Sequence, residues 1–163
     1  NLPEYIDRTV AAMLRSDMSI VAVLDWKPDN NNYFDYYAAS EHIKGGIVQY
    51  YPNRYAAGKG RVWFAGDKPF VSVRFSLWHP SGEMEKVTKE WIEEMAAVVN
   101  SYKADINSIN GYSVINVHPW TINTENFAYF VSLLDEHIQL VTADELIKMI
   151  TDNCPHKDAK PDK

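Results

Sequence analysis

Ser19-Ile-Val-Ala-Val-Leu-Asp25 decides the fold of this chain. An apolar run closed by a polar residue suits a strand covered on both faces, as in a parallel sheet flanked by helices. Two further stretches share the pattern, Gly46-Ile-Val-Gln-Tyr-Tyr51 and Tyr112-Ser-Val-Ile-Asn-Val-His118. Between and around them the apolar spacing turns helical. Pro3 to Arg15 carries Ile6, Val10, Met13 and Leu14, and Glu83 to Tyr102 carries Val87, Trp91, Met95 and Val98 on one stripe. A short helix is expected over Phe34 to His42 and another over Thr124 to Asp135. Ile138 to Val141 reads as a last strand. A closing helix, Ala143 to Ile150, is capped by Thr142 with Glu145 at the capping-box position. Arg61 to Phe64 and Pro69 to Trp78 read as extended segments joined by the hairpin turn Ala-Gly-Asp-Lys.

Strands that alternate with helices form βα units, so the fold class is α/β with a mainly parallel sheet. Roughly five or six strands are too few to close an eight-stranded barrel. The choice lies between an open sheet and a partial or irregular (β/α) barrel. Residues 1–154 read as a single α/β domain and 155–163 as a disordered tail. The chain begins at Asn1, after a removed leader or as part of a longer polypeptide, and its direct opening on a helical pattern favours the C-terminal part of a longer polypeptide.

Composition narrows the partners. The 163 residues carry a formal net charge of -6, and lysines cluster only in the tail, so nucleic acid is not expected. The longest apolar run, Ile20 to Leu24, cannot span a bilayer. A lone cysteine, Cys154, cannot form an internal disulfide or a thiolate cluster. No His-x-x-x-His, P-loop or Gly-x-Ser-x-Gly pattern is present, so no metal or other cofactor is expected.

Ligands of parallel α/β folds bind at the carboxyl ends of the strands. Here those ends carry Asp25-Trp26, Tyr50-Tyr51, Trp78-His79 and His118-Pro119-Trp120. Aromatic faces of this kind stack on sugar rings or pack beneath neighbouring loops. Along Phe70 to Trp78, Ser72, Arg74 and Ser76 alternate with Val71, Val73, Phe75 and Leu77; Asn116 shares a face with His118, and Gln49 lies opposite Val48. A polar face on a buried sheet needs water, partners or a ligand. Arg74 either meets such a ligand or forms a structural ion pair with Asp25. His118 is a hydrogen-bonded core histidine or an acid, base or sugar-hydroxyl partner. On these grounds Asp25, Arg74 and His118 are the catalytic candidates. The substrate-binding candidates are Trp26, Gln49, Tyr51, Tyr55, Trp78, His79, Asn116 and Trp120.

Two segments resemble a known family. Gly58-Lys-Gly-Arg-Val-Trp-Phe-Ala-Gly-Asp-Lys-Pro-Phe-Val-Ser-Val-Arg-Phe-Ser-Leu-Trp78 and Gly111-Tyr-Ser-Val-Ile-Asn-Val-His-Pro-Trp120 are similar to the C-terminal region of bacterial GxGYxYP putative glycoside hydrolases. The signature that names that family is not in this chain, so the resemblance implies a portion preceding this one. Ser113 to His118, a helix and Ile138-Gln-Leu-Val-Thr-Ala-Asp-Glu-Leu-Ile147 also resemble the end of a polysaccharide deacetylase barrel. By that resemblance His118 would be the histidine of the closing motif. The metal motifs of the deacetylases, Thr-Phe-Asp-Asp and His-x-x-x-His, are absent. The resemblances imply a carbohydrate-active domain, a glycoside hydrolase or deacetylase-like hydrolase acting on polysaccharide. The alternative is a non-catalytic carbohydrate-binding or interaction module of a larger secreted protein. Either way the expected partners are a carbohydrate ligand and an N-terminal portion of the same polypeptide, outside the cell or in the periplasm.

Overall fold

The computed structural model describes residues 2–16, 21–25, 39–49, 61–78, 87–117 and 122–155. In chain order these form α1 (Leu2–Leu14), β1 (Ala22–Asp25), β2 (Gly46–Gln49), β3 (Arg61–Ala65), β4 (Lys68–Trp78), α2 (Lys89–Asn100), β5 (Ser113–Val117), α3 (Thr124–Ser132) and α4 (Ala143–Asn153). A 3₁₀ turn, Ile109–Gly111, leads into β5. Among the described residues this is a small α/β domain with four helices and a short, mainly parallel sheet. Among the described residues the strands do not close into a barrel.

β4 organises the sheet because it is the longest strand, with 11 residues. Its first half pairs in parallel with β2 and antiparallel with β3, and its second half pairs in parallel with β5. β1 extends the sheet beyond β2, also in parallel. The β3–β4 hairpin turns at Gly66, whose φ of 66° lies in the left-handed region that glycine occupies without a Cβ clash.

The core has two parts, one on each face of the sheet. On one face Ile47, Val62, Val71 and Val73 pack against Leu146, Ile147 and Ile150 of α4. On the other, Ile115 and Val117 of β5 meet Ile92, Ala96 and Val99 of α2 and Phe130 of α3. The helices start where side chains replace missing backbone acceptors. Thr88 Oγ1 accepts from the Trp91 N–H at 3.2 Å, and Asn123 Oδ1 accepts from the Asn126 N–H at 2.8 Å. In α4 the Glu145 carboxylate accepts from the Thr142 N–H and hydroxyl, each at 2.8 Å, so the expected capping box is present.

Three sequence expectations change. Ile138 to Val141 is not a strand; it runs without regular structure from the turn at Asp135 to the cap at Thr142. A strand needs a neighbour to pair with, and β5 is hydrogen-bonded to β4 alone among the described residues. The buried stripe of α2 is Ile92, Ala96 and Val99, while Val98 is 48% exposed. Val87, Trp91 and Met95 flank that stripe half-buried. Packing on Phe130 and β5 turned the helix about one position from the face that its own hydrophobicity favoured. The third change is the position of α2's first turn, at Lys89 behind its Thr88 cap. The expected helix over Phe34 to His42 lies mostly outside the described residues.

Candidate functional site

Because β1, β2, β4 and β5 are mutually parallel, their carboxyl ends point to one end of the sheet. Asp25, Gln49 and Val73 are register partners across three strands. Arg74 is the next residue along β4, directly beyond that level. Trp78 lies five residues past Val73, roughly 16 Å at the usual strand rise. It is the register partner of Val117, the last residue of β5. β4 and β5 continue past the level of Asp25 and Gln49, the last described residues of β1 and β2.

Register also separates positions that each strand read alone would group together. Register partners share a face of the pleat, and neighbours in a strand alternate. Position 74 is one step from the level of positions 25 and 49, so it falls on the face opposite theirs. Ser76 pairs with Ile115, whereas Asn116 pairs with Leu77. Positions 72, 74, 76 and 78 thus share the face that α2 and α3 cover at β5. Positions 25, 49 and 116 share the α4 face. Positions 74 and 76 of β4 and position 116 of β5 therefore fall on opposite faces of the sheet. Ser72 is fully buried, and its Oγ has no hydrogen-bond partner among the described residues.

Of the sequence candidates, Trp26, Tyr51, Tyr55, His79, His118 and Trp120 lie outside the described residues. Asp25, Gln49, Arg74, Trp78 and Asn116 are located by strand position and register.

A feature that the sequence did not announce lies at the other margin of β5. A cleft of about 400 Å³ runs between β5 and the segment 137–143. Its walls are mostly apolar, and Ile106 and Leu140, both more than half exposed, stand on them with Phe127. Tyr112 forms one end. Its hydroxyl donates to the Ile106 carbonyl at 2.7 Å, while Asn153 Nδ2 approaches at 3.5 Å. Burial pushes the Tyr112 phenol up, so it stays protonated and acts as a donor. Cys154 Sγ lies 3.8 Å from the same Ile106 carbonyl. Its thiol is buried and also pushed up by burial, the opposite of what a nucleophilic cysteine requires. His137 Nδ1 lies 4.0 Å from Asp135 at the exposed end of the wall. No group of three or more His, Cys, Asp or Glu that could hold a metal ion occurs among the described residues. No described helix is long and apolar enough to cross a membrane.

The mainly parallel sheet, with α4 on one face and α2–α3 on the other, defines an α/β domain. Residues 1–151 match the GxGYxYP putative glycoside hydrolase C-terminal domain, and the chain belongs to that family. Among solved structures it is similar to a crystal structure described as a putative hydrolase from Bacteroides thetaiotaomicron. The two are 20% identical with a TM-score of 0.62, over 93% of this chain and 29% of that one. That likeness is one of fold, and this chain spans less than a third of the length of the hydrolase it matches. None of the curated proteins matches the chain.

Proposed function

We propose that this domain contributes the strand-end portion of a carbohydrate site in a GxGYxYP-type glycoside hydrolase. In this reading it is part of a larger (β/α) barrel that an N-terminal portion of the polypeptide completes. Asp25, Arg74 and His118 are the candidates for catalysis. Trp26, Gln49, Tyr51, Tyr55, Trp78, His79, Asn116 and Trp120 are the candidates for holding the glycan. The observation that carries the reading is the parallel alignment of β1, β2, β4 and β5 in a chain of this family. That alignment sends four strand ends in one direction, where the sequence concentrates aromatic and polar residues. A polysaccharide substrate fits such a surface, because aromatic rings stack on sugar faces while carboxylate and imidazole groups exchange protons with sugar oxygens. Secretion or export to the periplasm follows from a polysaccharide substrate.

By register, position 74 of β4 lies one residue beyond the level of positions 25 and 49. In this reading a glycan laid across the strand ends meets Asp25, Arg74 and His118.

Isothermal titration of the full-length protein against a panel of oligosaccharides tests this reading. Trp78→Ala and Trp120→Ala should each weaken affinity about tenfold, or about 1.4 kcal/mol, with little change in melting temperature. His118→Ala should abolish glycan-directed activity and leave the fold intact. Equal binding by wild type and both tryptophan variants would refute the stacking site. Unfolding of His118→Ala would make His118 a core residue and remove it from catalysis.

A non-catalytic module is the second reading, and the exposed apolar residues Ile106, Phe127 and Leu140 around the β5 cleft favour it. Unchanged glycan binding without turnover in wild type would decide for it.

A further inference from the structure

The cleft beside β5 is lined from both faces of the sheet. Val114 belongs to the core under α4, whereas Ile115 and Val117 belong to the core under α2 and α3. All three line the cleft, together with Leu146 on one side and Phe130 on the other. A cavity that meets both core layers wraps round the edge of a strand and does not sit on one of its faces. Its shape is that of an absent neighbour in the sheet.

The backbone points the same way. Among the described residues β5 pairs with β4 alone, so its outer N–H and C=O groups face the cleft without a strand partner. Across the cleft, residues 138–141 are held at both ends. Asn100 ties the near end, donating to the Leu133 carbonyl at 2.9 Å and accepting from the Asp135 N–H at 3.0 Å. The Thr142–Glu145 capping box holds the far end. Pinned in this way, the segment forms a wall and does not fill the gap. Left to water, an apolar cleft of about 400 Å³ is unfavourable, and water cannot satisfy its walls. A compact apolar molecule would fill the volume but give β5 no strand partner beyond β4 among the described residues. A strand meets both needs, because its side chains alternate into the two cores while its backbone bonds to β5.

We infer that the outer edge of β5 and its cleft form a docking groove for an extended apolar strand supplied by the preceding portion of a GxGYxYP-type polypeptide. The inference rests on the reading above that the domain packs on such a portion, and it names the place and the mode of contact. The donor is chosen by length of chain: the solved hydrolase extends well beyond the 29% that this chain covers. The docked segment would be a near-continuous run of apolar residues without proline, since its side chains enter both cores. With that strand in place, Ile138 to Val141 gains a neighbour and becomes the strand that its sequence favours.

Hydrogen exchange read by mass spectrometry on a full-length GxGYxYP-type protein carrying this domain tests the groove. Leu140 is 53% exposed, so Leu140→Asp places a charge in the cleft without disturbing the domain's own core. In wild type, peptides covering 113–117, 138–141 and one N-terminal segment should be protected together. In Leu140→Asp all three should exchange at least tenfold faster. Val98→Asp, at an exposed apolar site away from the cleft, should match wild type, and Leu140→Met should restore protection. The groove is refuted if Leu140→Asp leaves the three peptides unchanged. It is also refuted if only 113–117 and 138–141 respond, since the cleft then closes on its own wall. Loss of wild-type protection on dilution would assign the groove to a second copy and refute the inference. Should Val98→Asp or Leu14→Asp loosen the N-terminal portion instead, packing between the portions stands and only this groove falls. No effect on the N-terminal portion from any of the three charges would sink the packing reading as well.

Discussion

Replacing Ser72 by alanine is expected to stabilise the protein. Ser72 sits in the middle of β4 at 0% exposure, level with Val48 on β2 and Arg61 on β3. Its hydroxyl has no hydrogen-bond partner among the described residues. An unpaired buried hydroxyl costs about 1–3 kcal/mol in lost hydration. Alanine removes that cost and leaves a void of one oxygen atom, whose lost contacts offset part of the gain. The net expectation is a gain of about 1 kcal/mol, which raises the melting midpoint by about 2–4 °C in a chain of this size. Urea titration followed by circular dichroism should show a higher midpoint at an unchanged m-value, the sign of a change in the native state alone. A loss of about 1 kcal/mol or more would refute the reasoning. It would mean that the hydroxyl is bonded in solution, and that the face shared by positions 72, 74 and 76 carries a polar network. In that case Arg74, two residues away, would belong to that network and its assignment to the glycan site would weaken.

Other perturbations probe the elements that support the site. Asn100→Ala removes both bonds that tie α2 to the turn at Asp135, so a loss of about 1–2 kcal/mol should appear in the same urea titration. The Glu145 carboxyl is held below its ordinary value of 4.5, first by the Thr142 N–H and then by the Thr142 hydroxyl. A depressed folded value gives stability that is complete above the ordinary value and fades as pH falls through the lowered one. Glu145→Gln should therefore flatten the acid limb of melting temperature against pH while leaving a milder acid loss from Glu90, whose carboxyl is also lowered. At Gly45 a Cβ would come within 2.6 Å of the Pro69 carbonyl oxygen, so Gly45→Ala should cost about 1–3 kcal/mol by thermal melting. Gly66→Ala meets open space, and its cost, about 1–2 kcal/mol, comes from the left-handed backbone alone.

Local physics made much of the fold legible. Continuous apolar runs ending in Asp25 and Gln49 can be satisfied only between two layers, so βα alternation and a mainly parallel sheet follow from the residues themselves. The hairpin at Gly66 and the capping box at Thr142 are contacts over a few residues, which the order of residues specifies directly. Family membership was legible for the same reason, through Gly58 to Trp78 and Gly111 to Trp120.

Register is a different matter, because it is set by how separate strands slide past one another. Alternation within β4 groups Ser72, Arg74 and Ser76, and alternation within β5 separates Asn116 from Ile115. Nothing in either strand says that Ser76 pairs with Ile115 and Asn116 with Leu77. That one-residue relation places positions 74 and 76 on the face opposite position 116. The inward face of α2 likewise depended on where Phe130 and β5 lie, since Val98 and Val99 are equally apolar. Ile138 to Val141 shows the same dependence from the other side. Its residues favour a strand, but strand structure requires hydrogen bonds to a neighbour, and the described residues provide none there. Composition and period determined most of the elements; tertiary packing decided which faces they share and that Ile138 to Val141 forms no strand, because contacts between distant segments leave no trace in the spacing of either one.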